Sequence, residues 1–174
     1  MKKRYPRTLS SGANNTVVAL SETEAGKLYH GDTRSEIGSE AKKMQYANTV
    51  NNLVVTFKRI DIDEQLDAGM LVMERLYPID YRAYEYERRE LWMDVFEDEL
   101  AQLHAAGFVH RDLRRPSDMA GLRFDNIFLT DRGLRLIDVG ISALREEVGE
   151  RLFDRFVKVE LEELEIFREY FLSR

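Results

Sequence analysis

The apolar runs in the first 76 residues are short and bounded by polar turns, a pattern typical of β-strands. TVVALS (16–21) and AGKLY (25–29) flank the polar SETE turn and predict a hairpin. NLVVTFKRIDI (52–62) and AGMLVMERL (68–76) predict a second pair of strands, joined by the polar DEQLD turn. This part of the chain is therefore predicted to be rich in β-structure.

One helix is predicted between the two strand pairs, over Asp32–Ala47. Thr33 and Glu36 form the pattern of a capping box near its start. The apolar side chains of this helix repeat at helical spacing and are Ile37, Ala41 and Met44. The first part of the chain thus combines strands with a single helix.

From Pro78 onward the pattern becomes helical. The longest predicted helix covers Arg82–Ala106, and Gly107 stands where a C-terminal cap belongs. IFLT (127–130) and LRLID (134–138) then predict a hairpin around a DRG turn. The predicted buried stripe of the long helix is Trp92, Val95, Phe96, Leu100 and Leu103.

The chain from about Glu146 onward is predicted to be helical and acidic. LYPID (76–80) is the linker that the sequence offers, so we predict a β-rich lobe over residues 1–76 and an α-helical lobe over residues 77–174. Strands that precede helices, rather than alternate with them, indicate the α+β class. The predicted buried side of the acidic tail is Leu161, Leu164, Phe167 and Phe171.

The composition is that of an ordinary globular protein, with 44% hydrophobic and 33% charged residues. The net charge of −6 argues against a nucleic-acid partner, and the absence of cysteine excludes disulfides and thiolate chemistry. No apolar run approaches the roughly 18 residues of a membrane span, and none of signal-peptide length follows the basic start. We therefore expect a soluble cytoplasmic protein, although a secretion system that reads an uncleaved N-terminus leaves no mark in a sequence.

Polar residues stand at the ends of the predicted 127–138 hairpin and shortly before it. Asp112 ends an HRD tripeptide, Asn126 precedes the first strand, and Asp138 follows the second in a Asp-x-Gly sequence. This order resembles the catalytic segment of the protein-kinase superfamily. The resemblance implies that Asp112 orients the attacking hydroxyl and receives its proton. It also implies that Asn126 and Asp138 hold Mg²⁺, which prefers hard oxygen ligands.

Two segments in the first part of the chain extend the resemblance. LSSGANNTVVAL (9–20) is similar to a glycine-rich loop, with Gly12 at its central glycine and Val17 at the valine that covers adenine. The other two glycines of that pattern are replaced here by serine and asparagine. AGKLY resembles the strand that carries the nucleotide-binding lysine, which implies that Ala25 lines the adenine site and that Lys27 binds the α- and β-phosphates.

The partner of Lys27 and the adenine-binding hinge are implied by the same resemblance. Glu40 is the preferred partner because it flanks the apolar stripe of the predicted helix, and Glu36, one turn earlier, is the alternative. LVMERL (71–76) is similar to the hinge of these kinases. The resemblance makes Met73 the gatekeeper residue and directs the carbonyl of Glu74 and the amide of Leu76 to the adenine edge.

The resemblance covers about residues 8–144 and implies a two-lobed fold, ATP and Mg²⁺ as cofactors, and a protein serine or threonine as acceptor. Asn126 lies 14 positions after Asp112 instead of five, so about nine residues are inserted. Ser117 stands where the amide would be without an insertion. Asn126 is preferred because the metal-binding amide directly precedes the IFLT strand. The insertion is read as a surface loop, with a substrate-reading element as the alternative. Val139 replaces the usual phenylalanine and keeps its apolar character.

The sequence continues for only 34 residues after Gly140, which implies a reduced helical lobe without a long activation segment. Arg111 then has no phosphorylated segment to bind and is expected to be structural. In this respect the chain is similar to RIO-like and Bud32-like enzymes and to the very small effector kinases of bacterial pathogens. Some of those effectors depend on a host protein for activity, so an activating protein partner is an expectation by analogy alone.

Two other functional classes compete with an active protein kinase. The thin glycine loop and the acidic tail favour a kinase-shaped module that binds a partner protein without catalysis. A small-molecule kinase of the aminoglycoside type shares the H-x-D, Asn and Asp-x-Gly arrangement, but it needs a larger helical lobe to enclose its substrate. We expect the protein kinase first, the binding module second and the small-molecule kinase last.

Overall fold

The computed structural model describes residues 7–11, 15–29, 36–63, 68–114 and 123–173, which form an α+β fold. The strands of its large sheet are β1 (Arg7–Ser11), β2 (Asn15–Ala19), β3 (Glu24–Tyr29), β4 (Phe57–Asp63) and β5 (Ala68–Glu74). All neighbouring strands pair antiparallel, in the order β1-β2-β3-β5-β4. The prediction of a β-rich first part is confirmed.

The predicted hairpin across the SETE turn is the β2–β3 pair. The hydroxyl of Ser21 accepts hydrogen bonds from the backbone amides of Thr23 and Glu24, and this local bonding closes the turn. The second predicted pair is β4–β5. The predicted DEQLD turn lies, apart from its first residue, outside the described residues.

Strand β4 starts five residues later than the sequence predicted, because residues 53–55 pack elsewhere. The amide of Val55 donates to the carbonyl of Leu136, and the amide of Leu136 donates to the carbonyl of Leu53, at 2.8 Å each. Val54 forms an isolated parallel bridge with the same residue. A short run of apolar residues shows only that a segment is buried, and here it is buried against the second half of the chain rather than in the large sheet.

The first helix, α1, covers Ile37–Val50, so it starts later and ends three residues later than predicted. The predicted capping box is wrong. Glu36 occupies the N-cap position with extended backbone (φ −86°, ψ 139°) and makes no side-chain cap bond. Thr33 lies outside the described residues. The predicted stripe is correct in its centre, since Ala41 and Met44 are buried against the sheet.

The second half begins with a 3₁₀ turn at Tyr81–Ala83 and continues with α2 (Tyr86–Ala106), α3 (Arg145–Val148) and α4 (Glu150–Leu172). Two small antiparallel pairs complete it: β6 (Phe108–Val109) with β9 (Ala143–Leu144), and β7 (Ile127–Thr130) with β8 (Gly133–Leu136). The predicted hairpin after Asn126 is therefore confirmed. So is the cap of the long helix, because Gly107 has a φ of 97° that favours glycine.

Two residues of the predicted buried stripes are exposed. Val95 on α2 is 57% exposed and Leu161 on α4 is 46% exposed. The turn of α4 that Leu161 was expected to bury is filled instead by Glu160, which is 1% exposed. The other residues of both predicted stripes are buried, and aromatic rings of the two helices pack together, for example Phe96 with Phe167 at 5.6 Å between centroids.

The main hydrophobic cluster draws side chains from both halves of the chain. It contains Leu71 of β5 and Met44 of α1 together with Phe96 of α2 and Phe171 of α4. The division into lobes at residues 76 and 77 stays a prediction. Within the described part of the chain, every helix is too short or too polar to span a lipid bilayer.

Candidate functional site

Three charged residues that are distant in sequence meet beside strand β3. The Nζ atom of Lys27 lies 2.9 Å from Oε1 and 3.1 Å from Oε2 of Glu40 on α1. It also lies 2.8 Å from Oδ1 of Asp138, which follows β8. The strand, the helix and the segment after the small hairpin thus each supply one charge to a common site.

The electrostatic balance keeps the Lys27–Asp138 pair charged. Burial alone would lower the pKa of Lys27, but the carboxylates of Glu40 and Asp138 outweigh it and hold that pKa above its ordinary value. Burial would likewise raise the pKa of Asp138, and the neighbouring ammonium of Lys27 outweighs it, so the pKa is lowered. The buried ammonium of Lys27 thus has two carboxylate partners, and loss of either would leave part of its charge uncompensated.

Glu40, rather than Glu36, is the partner of Lys27. Its carboxylate is 2% exposed and also accepts a hydrogen bond from the hydroxyl of Tyr29. Burial and the adjacent Glu40 charge raise the pKa of Tyr29, so that hydroxyl stays protonated and continues to donate. Glu36 is exposed at the N-cap of α1, away from this pair. The structure therefore decides between the two glutamates in favour of the preferred one.

Asp112 and Asn126 are in contact in spite of the 14 positions between them. The Nδ2 atom of Asn126 donates to the backbone carbonyl and to Oδ2 of Asp112, at 2.9 Å each. The carbonyl of Asn126 accepts from the amide of Ile137, the residue before Asp138. Burial raises the pKa of Asp112 above its ordinary value. Ser117, the alternative to Asn126, lies with residues 115–122 of the insertion outside the described residues.

The donor set around this contact suits a small hard cation. The amide nitrogen of Asn126 is bound to Asp112, so its amide oxygen is the atom of this side chain that could ligate a metal. The side chain of Asp138 remains 43% exposed although Lys27 contacts Oδ1. One carboxylate and one carboxamide are few ligands, as expected for Mg²⁺, which keeps several waters and shares oxygen atoms of a bound phosphate.

The backbone on both sides of this site is held in unusual conformations. Arg111 has a φ of 70° and Asp138 a φ of 56°, both in the left-handed region that non-glycine residues rarely adopt. The buried imidazole of His110 joins the two segments. Its Nδ1 accepts from the amide of Asp112 at 3.3 Å, so Nε2 carries the proton and donates to the carbonyl of Ile137 at 2.8 Å. Such strain persists only where surrounding contacts over-determine the geometry.

The carboxylate of Glu160 on α4 binds the backbone of the HRD tripeptide. The sequence alone did not predict this role for Glu160. Oε1 accepts from the amide of His110 at 3.2 Å and lies 2.9 Å from Nε2 of His104. Oε2 accepts from the amide of Arg111 at 2.5 Å. The signal was present in the sequence, because Glu160 falls on the same helical stripe as Leu164 and Phe167. An acid on an apolar stripe is a buried charge that needs partners.

The side chain of Arg111 is engaged within the chain. Its guanidinium donates to the carbonyl of Ile141 at 3.0 Å and lies 3.8 Å from the centroid of the Phe156 ring. These contacts agree with the structural role expected for this arginine.

The residues expected to contact adenine lie on neighbouring strands. Val17 of β2 pairs with Lys27 of β3, and Ala25 pairs with Met73 of β5. Met73 and Leu76 are partly buried against the main cluster. Gly12 lies outside the described residues, between β1 and β2.

The side chain of Glu74 has a structural role that the sequence did not reveal. Its Oε1 accepts from the amide and the hydroxyl of Thr56, at 2.9 and 2.8 Å, and from the buried guanidinium of Arg135. Two cavities, of about 340 and 580 Å³, are lined by Glu74, Arg132 and Arg135. Leu76 also lines the larger cavity, whereas neither cavity is lined by Lys27, Glu40, Asp112, Asn126 or Asp138. The ion cluster and the Asp112–Asn126 contact therefore lie outside both cavities.

Glu163 of α4 gives a prediction for the dependence of stability on pH. Burial raises the pKa of Glu163 to about 7, and the charges of Glu160 and Asp112 act in the same direction. Below about pH 4.5 the carboxyl is protonated in both the folded and the unfolded chain, so its ionisation does not change the free energy of unfolding. Between about pH 4.5 and pH 7 the unfolded chain loses the proton first, so stability falls as the pH rises, and the cost is constant above that range.

Glu163→Gln is therefore expected to stabilise the protein more at pH 8 than at pH 5. The shift corresponds to roughly 3 kcal/mol for a buried group, and solvent screening at this half-buried side chain reduces it to about 1–2 kcal/mol. Urea unfolding at the two pH values measures the difference, with the exposed neighbour variant Glu162→Gln as control. Equal effects of Glu163→Gln at both pH values would contradict the prediction.

Comparison with known proteins gave no assignment. No protein-family model matches the chain, and no curated protein matches it.

Proposed function

We propose that the chain is an ATP- and Mg²⁺-dependent phosphotransferase with a two-lobed protein-kinase-like fold, and that it transfers the γ-phosphoryl group to a serine or threonine hydroxyl of a protein. One observation carries the proposal. Lys27, Glu40 and Asp138 form one ion cluster around the buried Lys27 ammonium, and the backbone bond from Ile137 to Asn126 joins it to the Asp112–Asn126 contact. Five chemically suitable residues from separate segments are thus linked through these hydrogen bonds and the Ile137–Asp138 backbone.

The geometry supports a distinct role for each charged residue. Lys27, held by Glu40, presents an ammonium group to the phosphates of the nucleotide. Asn126 and Asp138 would hold Mg²⁺, which neutralises phosphate charge when it is bound. Asp112 orients the acceptor hydroxyl and takes its proton as the oxygen bonds to the γ-phosphorus. The bond from that phosphorus to the bridging oxygen breaks, and ADP leaves with the electron pair.

The arrangement of elements supports the two-lobed interpretation. The large sheet and α1 supply Lys27 and Glu40, whereas Asp112, Asn126 and Asp138 belong to segments that follow α2. Two positioning residues, His110 and Glu160, fix the second group of segments. A nucleotide between the two groups would contact the sheet on one side and the metal-binding residues on the other.

A thermal-shift experiment with ATP and Mg²⁺ tests the nucleotide site. At about 100 times the dissociation constant the ligand should stabilise the protein by about 2.7 kcal/mol, which raises the melting temperature by roughly 5–10 °C. Asp138→Ala should lose most of the Mg²⁺-dependent part of this shift. Radiolabelled ATP then tests for autophosphorylation and for transfer to a generic protein acceptor.

The outcomes separate the competing classes. A shift with label transfer supports the kinase. A chain that neither responds to ATP–Mg²⁺ nor incorporates label is not a kinase, and a module that binds a partner protein becomes the better assignment.

A further inference from the structure

Besides Lys27 of β3, a lysine of helix α1 also contacts the segment that contains Asp138. Lys43 lies one turn after Glu40 and is 9% exposed. Its Nζ atom donates to the backbone carbonyl of Gly140 at 3.1 Å. This contact joins α1 to a residue two positions after Asp138.

Gly140 lies two residues after Asp138. Its backbone amide helps to lower the pKa of the Asp138 carboxylate, while its carbonyl accepts from Lys43. Helix α1 is therefore connected to the Asp138 segment by two routes: one through Glu40 and Lys27, and one through Lys43 and Gly140. Asp138 has a φ of 56°, in the left-handed region, and the contact of Lys43 with Gly140 helps to hold the backbone that follows it.

A lysine is a costly choice for this position. Burying an ammonium group destabilises a protein unless hydrogen bonds compensate, and an apolar side chain of similar length would fill the same space without that cost. The neighbouring Lys42 shows the ordinary alternative, since it is exposed and pairs with Glu146 and Glu147 on α3. A structural role in packing alone gives no reason to place a cation at residue 43.

We propose that Lys43 is a positioning residue of the nucleotide–metal site, which fixes Gly140 and through it the Asp138 carboxylate. The inference rests on the proposed function, because Asp138 needs a fixed orientation only if it binds the metal of a nucleotide complex. Lys43 itself touches neither nucleotide nor metal. Its loss should weaken metal-dependent binding more than binding of the nucleotide alone.

Equilibrium binding of ATP, measured with and without Mg²⁺, tests this role without relying on turnover. Lys43→Met is expected to weaken ATP binding about tenfold in the presence of Mg²⁺ and by less than about twofold in its absence (1.4 kcal/mol is tenfold). Lys43→Gln keeps an N–H donor and should fall between Lys43→Met and the wild type. Lys42→Met is the matched control on the same helix and should bind like the wild type under both conditions.

Each result supports or overturns the inference. If Lys43→Met does not fold, Lys43→Gln carries the test, and an unchanged affinity of the folded variant for ATP–Mg²⁺ would overturn it. An equal loss with and without Mg²⁺ would mean that Lys43 only stabilises the fold. If the wild-type chain does not bind ATP–Mg²⁺, both the proposed function and this inference are wrong. If the wild type binds ATP–Mg²⁺ and the Lys43 variants bind it equally well, only this inference is wrong.

Discussion

Asp112→Asn should reduce the rate of phosphoryl transfer by about 10²–10⁴-fold, the usual contribution of general acid–base catalysis. The substitution removes the proton acceptor but preserves shape, and the new amide oxygen can still accept from Nδ2 of Asn126. Nucleotide binding and the melting temperature should therefore stay close to those of the wild type. Single-turnover transfer of radiolabel, together with equilibrium binding of ATP, measures the two effects separately.

The control for this substitution is Asp131→Asn, which changes an exposed carboxylate in the turn between β7 and β8. It should leave transfer unaffected, since Asp131 is outside the set of converging residues. Full transfer activity of Asp112→Asn would remove Asp112 from the catalytic role. A loss of ATP binding in the same variant would assign it to nucleotide binding instead.

Local sequence patterns were sufficient to predict the elements that carry the site. The hairpin that contains Lys27 and the hairpin before Asp138 each combine two β-rich runs with a turn sequence, and both are present in the structure. Helix α1 was predicted from its apolar stripe, and that stripe directed attention to Glu40 on its flank. The local patterns predict the strand that carries Lys27 and the helix that carries Glu40, whereas their ion pair also depends on the packing of α1 against the sheet.

The residues that support the site could not be found in the same way, because their roles depend on contacts across the whole chain. Glu160 binds backbone amides 49 and 50 positions away, and Arg135 reaches Glu74 across 61 positions. Lys43 binds a carbonyl 97 positions away. Periodicity treats such charges as solvated, and only the tertiary fold shows that they are buried and paired.

The wrong predictions for the start of β4 and for the buried face of α4 have a similar cause. Residues 53–55 are as apolar as a strand of the large sheet, but a buried loop can be equally apolar. Their hydrogen bonds with Leu136 place them outside that sheet. Leu161 is exposed because its neighbour Glu160 must face the amides of His110 and Arg111. A helix at the surface buries only one face, so with Glu160 on that face the adjacent Leu161 points to solvent.

The connection between Asp138 and α4 is short and is held at several points. Nine residues separate Gly140 from the start of α4, and part of them pairs with β6. Ser142 donates its hydroxyl and its amide to the carbonyl of Val139, and Arg111 binds the carbonyl of Ile141. The segment that positions Asp138 is therefore fixed by contacts inside the described chain, and under the proposed function it needs no phosphorylated residue to order it.

Glu160→Leu is expected to destabilise the protein by about 3 kcal/mol or more. The leucine is close in size, but it leaves the amides of His110 and Arg111 and the Nε2 atom of His104 without their acceptor. Each unsatisfied buried group costs about 1–3 kcal/mol. For a chain of this length the melting temperature should fall by roughly 6–12 °C, which thermal unfolding monitored by circular dichroism measures.

The matched control is Glu162→Leu on the exposed side of α4, for which a change within about 0.5 kcal/mol is expected. Both substitutions remove one negative charge from the same helix, so their difference isolates the three hydrogen bonds of Glu160 from the change in net charge. Glu160→Gln should fall between them, because its amide oxygen can accept while its NH₂ group must face a donor. If Glu160→Leu were as stable as the control, α4 would not support the HRD tripeptide, and the strained φ of Arg111 would need another source of compensation.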